Sequence, residues 1–378
     1  MGVHEITRVS RHEVVEDERI KIMKKKLLVI MLIAMMVFMA ACAAKETKPE
    51  EKPQEQAEEA EEEAEEATEE ATEEATEEGG AELQIGQVIT AAHGNKCFSQ
   101  VTAVVQGDTI VAAFIDEYQF ADGTQVEGVP NSDAVDGFAA GYADGQVLLS
   151  KRMETEYYSA NMASKAGSTV AIDANYDAIQ AFAVGKTIAE LEAFKGDEKA
   201  VDAVSEATLA DTGNYLAAIA EAAKVAQGTP AVTYAGDVSA LKLNVQVGAA
   251  HGNKCFSTAA ALTDGTTIVL SWLDEFQFAD GTQVEGVPNS DAADGFAAGY
   301  AEGQVLLSKR CEADYYSELM ASKGGSTVRI DDNYNAIQAA VNGLTIAEAE
   351  GVDAVSEATL ADTAGYVALI VEAAKNAK

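Results

Sequence analysis

Two copies of one short polar stretch carry the side chains of this sequence that are best suited to chemistry. Residues 201–212 read Val-Asp-Ala-Val-Ser-Glu-Ala-Thr-Leu-Ala-Asp-Thr, and residues 352–363 repeat them. In the first copy an alanine-rich amphipathic segment follows, with Asp211 or Thr212 as its natural N-cap. Short hydroxyl and carboxylate side chains also collect at helix starts simply because they accept hydrogen bonds from unpaired backbone N–H groups. The stretch is therefore predicted to be a polar turn that leads into a helix.

The spacing of the aspartate, serine and threonine resembles the Asp-x-x-Ser-Gly-Ala-Thr signature of FMN-binding domains. In that family a flavin transferase joins FMN to the threonine hydroxyl through a phosphoester. The resemblance implies one covalent FMN on Thr208 and one on Thr359. It also implies that the other motif side chains belong to the cofactor site, namely Asp202, Ser205, Asp353 and Ser356. A helix N-terminus beside each threonine can stabilise the phosphate.

Both copies depart from the signature at one position. Glutamate stands where the family has glycine, as Glu206 and Glu357. If that position requires positive φ, glutamate costs on the order of 1 kcal/mol or more there, and it adds a carboxylate beside an incoming phosphate. This departure motivates a second hypothesis, a non-flavinated binding or scaffold lipoprotein that retains the fold.

The N-terminal region predicts export and a lipid anchor. Three lysines at 24–26 precede an apolar run at 27–39 and small residues before Cys42, which resembles a bacterial lipoprotein signal whose cysteine is diacylated after cleavage. An uncleaved anchor is the alternative, and translation is expected to begin at Met23. Residues 43–83 follow as an acidic spacer, in which 18 glutamates against three lysines predict an extended, solvated chain.

Composition excludes several classes of function. The formal net charge of −37 argues against nucleic acid and anionic lipid surfaces as partners. Cys97, Cys255 and Cys311 form no Cys-x-x-Cys motif, which argues against haem attachment, thioredoxin-type redox chemistry and zinc sites, and favours buried apolar thiols. His93 and His251, one per copy, provide neither a metal cluster nor a nucleophilic triad.

A long internal repeat organises the rest of the chain. Residues 91–99 return at 249–257, and the first copy has seven extra residues at 193–199, which predict a surface loop. Each copy shows strand patterning and a hairpin, then helical signals with Thr-Ile-Ala-Glu capping boxes. We therefore predict an α+β fold of two tandem FMN-binding-like modules, residues 84–228 and 239–378, that fold independently. A polar loop at 121–133 could lie over a ligand.

Two further patterns leave alternatives open. The basic pairs Lys151-Arg152 and Lys309-Arg310 would suit a cofactor phosphate, or else balance carboxylates at an exposed strand end. The tyrosine pairs at 157–158 and 315–316, with Met near each, could stack on a flavin or simply pack in the core.

The complete layout is similar to the extracellular electron-transfer flavoproteins of Gram-positive bacteria. It implies a redox carrier rather than an enzyme, anchored by lipid at the outer face of the cell membrane. It also implies that a membrane quinone and NADH dehydrogenase system supplies the electrons, and that extracellular acceptors such as ferric iron receive them. A solute-binding lipoprotein is a third hypothesis, less suited to two tandem copies of similar length.

Overall fold

Each sequence repeat folds as an antiparallel sheet followed by helices, which confirms the α+β class. The computed structural model describes residues 80–377. The predicted signal peptide, Cys42 and nearly all of the acidic spacer lie outside these residues, as does Lys378. No helix within residues 80–377 is long and apolar enough to cross a lipid bilayer.

The first repeat begins three residues earlier than the predicted boundary at residue 84. Its strands are β1 (Ala81–Thr90), β2 (Cys97–Gln106), β3 (Thr109–Asp122) and β4 (Gln146–Ser150). Its helices are α1 (Thr155–Ala166), α2 (Ile172–Ala183), α3 (Ile188–Glu192), α4 (Ala200–Ala203) and α5 (Thr212–Ala226).

The second repeat follows the same order after a short strand, β5 (Val232–Tyr234), that pairs with β1. Its strands are β6 (Lys242–Gly248), β7 (Cys255–Thr263), β8 (Ile268–Asp280) and β9 (Gln304–Ser308). Its helices are α6 (Ala313–Gly324), α7 (Ile330–Val341), α8 (Ile346–Ala349) and α9 (Thr363–Asn376). The two sheets have the strand orders β4-β3-β2-β1-β5 and β6-β7-β8-β9.

Local sequence sets several helix ends. Thr187 and Thr345 each form the predicted capping box with the glutamate three residues later. Gly167 ends α1 with φ 69°, because a residue without Cβ adopts the left-handed conformation readily. The N-cap of α2 is Ala171, and Asp173 lies inside the first turn.

The central strands β2 and β7 are buried on both faces. Side chains alternate along a strand, so Val101, Ala103 and Val105 pack against the helices of their own repeat. Phe98 and Val104, on the opposite face of β2, pack with residues of the other sheet. The layers therefore follow the order helices, sheet, sheet, helices.

Aromatic side chains from both repeats fill one part of the space between the sheets. The ring centroids of Phe98 and Phe276 lie 5.6 Å apart, and those of Tyr118 and Phe256 lie 5.4 Å apart. The buried aromatic residues of this cluster are Phe98, Tyr118, Phe138, Tyr142, Phe256, Phe276, Phe296 and Tyr300. Residues 80–377 accordingly belong to one compact unit. Each repeat depends on the other to bury one face of its sheet.

This shared core changes the expectation of independent modules. We expect residues 81–228 and 239–378, produced separately, to aggregate or to lack a cooperative unfolding transition, because each would expose its half of the aromatic cluster to water. Co-expression of the two segments should restore the transition, measured by thermal unfolding with circular dichroism. Cooperative unfolding of either segment alone, at the melting temperature of the whole chain, would show that the interface is dispensable.

Candidate cofactor site

Both motif threonines lie on an exposed loop just before the last helix of their repeat. The backbone N–H and the hydroxyl of Thr208 both donate to Oδ1 of Asn175, over 2.6 and 3.1 Å. Thr359 makes the same two contacts with Asn333, over 2.6 and 3.2 Å. Because each hydroxyl donates in this contact, its oxygen can still accept. Oγ1 of Thr359 also lies 3.3 Å from Oγ of Ser326. Both threonines are thus held in place and still accessible.

The two asparagines were missed by the analysis of the sequence. Asn175 is fully buried near the start of α2, and its Nδ2 donates to the carbonyl oxygens of Val170 and Ala171 over 3.3 and 2.9 Å. Its amide therefore joins the start of α2 to the motif loop, using both donors and the acceptor. Asparagine is unfavourable in helix interiors, and an Asn-Tyr pair occurs at the equivalent place in both copies. This pattern was the signal in the sequence that could have indicated the role of the asparagines.

The remaining motif side chains do not gather around the threonines. Asp202, Ser205 and Asp353 are exposed, and within residues 80–377 none of them makes a side-chain hydrogen bond. Ser356 donates to its neighbour Glu357 over 2.6 Å. The structure therefore brings together the threonine and the unpredicted asparagine of each repeat, and leaves the predicted aspartate and serine at the surface.

The glutamates that replace the signature glycine differ between the copies. Glu206 has φ 72°, in the left-handed region, whereas the φ of Glu357 is not positive. A left-handed conformation costs a residue with a Cβ roughly 1–2 kcal/mol. The first motif loop is therefore strained where the family has glycine, and the second is not.

Thr359 lines a cleft of about 410 Å³ in the second repeat. The walls include the rings of His251, Tyr316 and Tyr366, and Lys309 lies at the base. The tyrosine pair at 315–316 thus contributes a ring to a cleft as well as to packing, because Tyr316 is only partly buried.

The cleft continues into a second space of about 400 Å³, which adds Lys254 and Lys323 to the shared His251 and Tyr316. In the first repeat a cleft of about 510 Å³ has the equivalent residues, His93, Lys96, Tyr158, Met162 and Lys165. None of the residues that line these three spaces is an aspartate or a glutamate. In a chain with net charge −37, the charged side chains that line these clefts are lysines, with histidine and aromatic rings beside them.

Each histidine is tied to the loop that carries the threonine. Nδ1 of His93 lies 2.6 Å from Oδ2 of Asp211, and Nδ1 of His251 lies 2.5 Å from Oδ2 of Asp362. Both aspartates hold the N-cap position of the following helix, as predicted for Asp211, but neither side chain caps a backbone N–H. The carboxylates orient an imidazole instead, which leaves Nε2 as the free ring nitrogen.

A buried ion pair lies beneath the cleft of the second repeat. Lys309 Nζ is 2.8 Å from Oε2 of Glu275, and both side chains are at most 1 % exposed. The hydroxyls of Tyr334 and Tyr366 donate to the same oxygen over 2.9 and 2.7 Å, and Ser257 donates to Oε1 over 2.6 Å. Burial opposes ionisation of Glu275, but the ammonium and these donors outweigh it and hold its pKa below the usual range.

The first repeat has the same arrangement, with Lys151 Nζ 2.6 Å from Glu117 Oε2. The two basic pairs of the sequence therefore do not stand at exposed strand ends, because both lysines are buried. Each ammonium is neutralised by a glutamate, so it contributes to the floor of the site rather than offering a free charge to a phosphate.

The cysteines behave as the sequence predicts in two of three cases. Cys97 and Cys255 are buried, and burial together with the adjacent glutamate raises the pKa of each thiol to about 12. They are therefore unreactive thiols at neutral pH. Cys311 is exposed, contrary to the expectation of a buried thiol.

Comparison with known proteins leaves the site to be judged on its own geometry. No protein-family model, no curated protein and no solved structure matches this chain. The similarity to FMN-binding domains therefore rests on the motif residues and the layout of the sequence.

The buried ion pair gives a stability prediction. Lys309→Met should lower the free energy of unfolding by about 3–5 kcal/mol, because it leaves the Glu275 carboxylate buried without its partner. Adding Glu275→Gln should recover much of the loss, since the amide oxygen still accepts from the tyrosine hydroxyls. Arg329→Met, which breaks exposed pairs with Asp314 and Asp331, is the control and should cost less than about 1 kcal/mol in urea unfolding.

If Lys309→Met cost no more than the control, the pair would not contribute to folding as its burial implies.

A second buried acid, Asp274, makes the stability of the fold depend on pH. Burial raises the pKa of Asp274 from 3.8 to about 6, although Ser308 and Arg310 oppose the shift. Between these values the folded state keeps a proton that the unfolded state has lost, so this group's contribution to stability falls as pH rises and stays lost above about 6.

We therefore expect the free energy of unfolding of Asp274→Asn, relative to that of the wild type, to increase by on the order of 1–3 kcal/mol as pH is raised from 4 to 7. Urea unfolding of both proteins across this range measures the difference. A difference that is constant with pH would contradict the shift.

Proposed function

We propose that this chain is a lipid-anchored extracellular flavoprotein that carries electrons through two FMN groups, each joined by a phosphoester to Thr208 or Thr359. A flavin transferase attaches the cofactor. A membrane quinone and NADH dehydrogenase system supplies electrons, and extracellular acceptors such as ferric iron receive them. Cys42 holds the mature protein at the outer face of the cell membrane.

One observation carries this proposal: an accessible Thr359 hydroxyl lines a cleft with aromatic walls and no carboxylate, and the space that continues from it adds the exposed Lys254 and Lys323. A planar, anionic cofactor matches such walls, because ring faces stack and a phosphate is stabilised by nearby cations. Elsewhere on a chain of net charge −37 an anion would be repelled. When bound, FMN supplies the redox chemistry, and the protein controls its position and surroundings.

The residues of the second repeat have distinct roles in this proposal. Asn333 fixes the loop, and the exposed Thr359 oxygen remains accessible to the attaching enzyme. The N-terminus of α9 begins four residues later and favours a phosphate on that oxygen. Tyr316 offers a ring face to the cofactor. His251, oriented by Asp362, provides a nitrogen that can donate or accept a hydrogen bond at the cofactor.

The first repeat has a similar cleft but a strained motif loop, and Thr208 is not among the residues that line that cleft. Its cleft contains His93 and Tyr158, and Thr208 is held by Asn175 in the same way. Glu206, however, adopts a left-handed conformation that the family's glycine would adopt without strain. Attachment at Thr208 is therefore expected to be less complete than attachment at Thr359.

A second candidate function is a non-flavinated binding lipoprotein, and the same glutamate favours it. Glu206 combines backbone strain with an exposed carboxylate two residues from the acceptor threonine, which disfavours the approach of a phosphate. On that alternative the cationic clefts hold an anionic ligand without a covalent bond.

Mass spectrometry of the intact protein separates the two functions. After co-expression with a flavin transferase, we expect up to two FMN groups per chain, with one lost in Thr208→Ala, one lost in Thr359→Ala and both lost in the double variant. Thr233→Ala, an exposed threonine outside the motifs, is the control and should keep both.

Glu206→Gly should raise the occupancy of Thr208, whereas Glu357→Gly should change that of Thr359 less, because only Glu206 has positive φ. A wild type that carries no flavin under these conditions would favour the binding lipoprotein. Flavin retained in the double threonine variant would show that attachment occurs elsewhere.

A further inference from the structure

Two loops cross between the repeats and hold the turns that carry the histidines. These crossing loops are residues 123–145, which join β3 to β4, and residues 281–303, which join β8 to β9. They meet at a bridge between Tyr142 and Tyr300. The sequence suggested that the first of them could cover a ligand, which stays a prediction; the loop extends to the opposite repeat.

Asn289 on the second crossing loop contacts the histidine turn of the first repeat, residues 93–97. Its Nδ2 donates to the carbonyl oxygens of Gly94 and Cys97 over 3.1 and 2.7 Å. The Phe296 N–H donates to the carbonyl oxygen of Asn95 over 2.8 Å. Three carbonyl groups of this turn therefore bind the other repeat, while His93 and Lys96 line the cleft.

The reciprocal contact has almost the same geometry. Asn131 Nδ2 donates to the carbonyl oxygens of Gly252 and Cys255 over 3.1 and 2.7 Å, and the Phe138 N–H donates to that of Asn253 over 2.8 Å. The histidine turn of each repeat is thus held by the loop of the other.

The crossing loops are shaped for this contact. Asn131 and Asn289 have φ 67° and 68°, a left-handed conformation that asparagine tolerates better than most residues with a Cβ. Gly295 precedes the donating Phe296, and a Cβ on it would lie 2.2 Å from the carbonyl oxygen of Asn95. Both the asparagine and the glycine are therefore required by the approach of one repeat to the other.

The contact continues to the threonine loop. His93 in the held turn lies 2.6 Å from Asp211, which stands three residues after Thr208. A path of direct contacts therefore runs from Asn289 of the second repeat, through the turn at 93–97, to the motif loop of the first. The equivalent path runs from Asn131 through His251 to Asp362, three residues after Thr359.

We infer that Asn131 and Asn289 are positioning residues that each complete the cleft of the opposite repeat. Each orients the turn that presents a histidine and a lysine to the cleft, so neither cleft is complete within its own repeat. The two sites are therefore coupled through the interface, and the effect of a substitution in one repeat is measured at the other.

Histidine NMR of the whole chain tests this inference without any cofactor. The imidazole Cε1–Hε1 signals of His93 and His251 are assigned with His93→Gln and His251→Gln. We expect Asn289→Gly, which keeps the left-handed backbone and removes both donors, to shift the His93 signal several-fold more than the His251 signal. Asn131→Gly is the matched control and should give the reverse pattern.

Asn289→Asp and Asn131→Asp repeat the test with the side-chain size retained and the donors removed, and thermal unfolding verifies that each variant is folded. A cross-repeat shift in both the glycine and the aspartate variants supports the inference. Equal shifts of both histidines, or a larger shift in the repeat that carries the substitution, would overturn it, since a general loss of stability has no preference for the opposite cleft.

A second readout rests on the proposed function. In the presence of a flavin transferase, Asn289→Gly should reduce FMN on Thr208 several-fold and leave Thr359 unchanged. Absence of flavin from the wild type would count against the proposed function alone, because the histidine signals decide the inference independently.

Discussion

The fold depends on the burial of two central strands on both faces. Since side chains alternate along β2, one set packs against the helices of its own repeat and the other packs against the opposite sheet. Cys97 and Ser99 belong to the helix-side set and reach Glu117, whereas Phe98 belongs to the inter-sheet set. The floor of the candidate site and the interface are therefore built by adjacent residues of one strand, and neither can change without affecting the other.

The arrangement of charge follows from this layering. The hydrogen bonds described between the repeats are made by neutral groups. Aromatic rings fill one part, and Gln100 donates to Gln87 and to Thr258 of the other repeat over 2.9 and 2.8 Å. Charged groups beneath the clefts are paired within one repeat, as Glu117 is with Lys151. The cleft walls add the exposed Lys96 and Lys254.

The two repeats are similar in structure without being equal as sites. The His–Asp contacts, the buried ion pairs and the Asn–Thr contacts all recur with distances that agree within about 0.2 Å. The motif loops differ, because Glu206 is left-handed and Glu357 is not. An identical twelve-residue sequence therefore takes two local conformations. The residues before it differ, since the first repeat inserts 193–199 ahead of α4.

Local sequence determined the features that depend on near neighbours: strands before helices, the hairpin turns, the capping boxes at Thr187 and Thr345, and an exposed threonine ahead of a helix. Each follows from a backbone preference or from hydrogen bonds within a few residues. Only the tertiary structure decided that Asn175 holds Thr208, that Lys151 is buried against Glu117, and that Asn289 holds the turn of His93. These pairs join residues far apart in the chain, and a polar side chain looks the same in sequence whether it meets water or a buried partner. The sequence also did not show what covers the second face of each sheet. A strand buried on both faces has no alternation of apolar and polar residues that would indicate a second sheet.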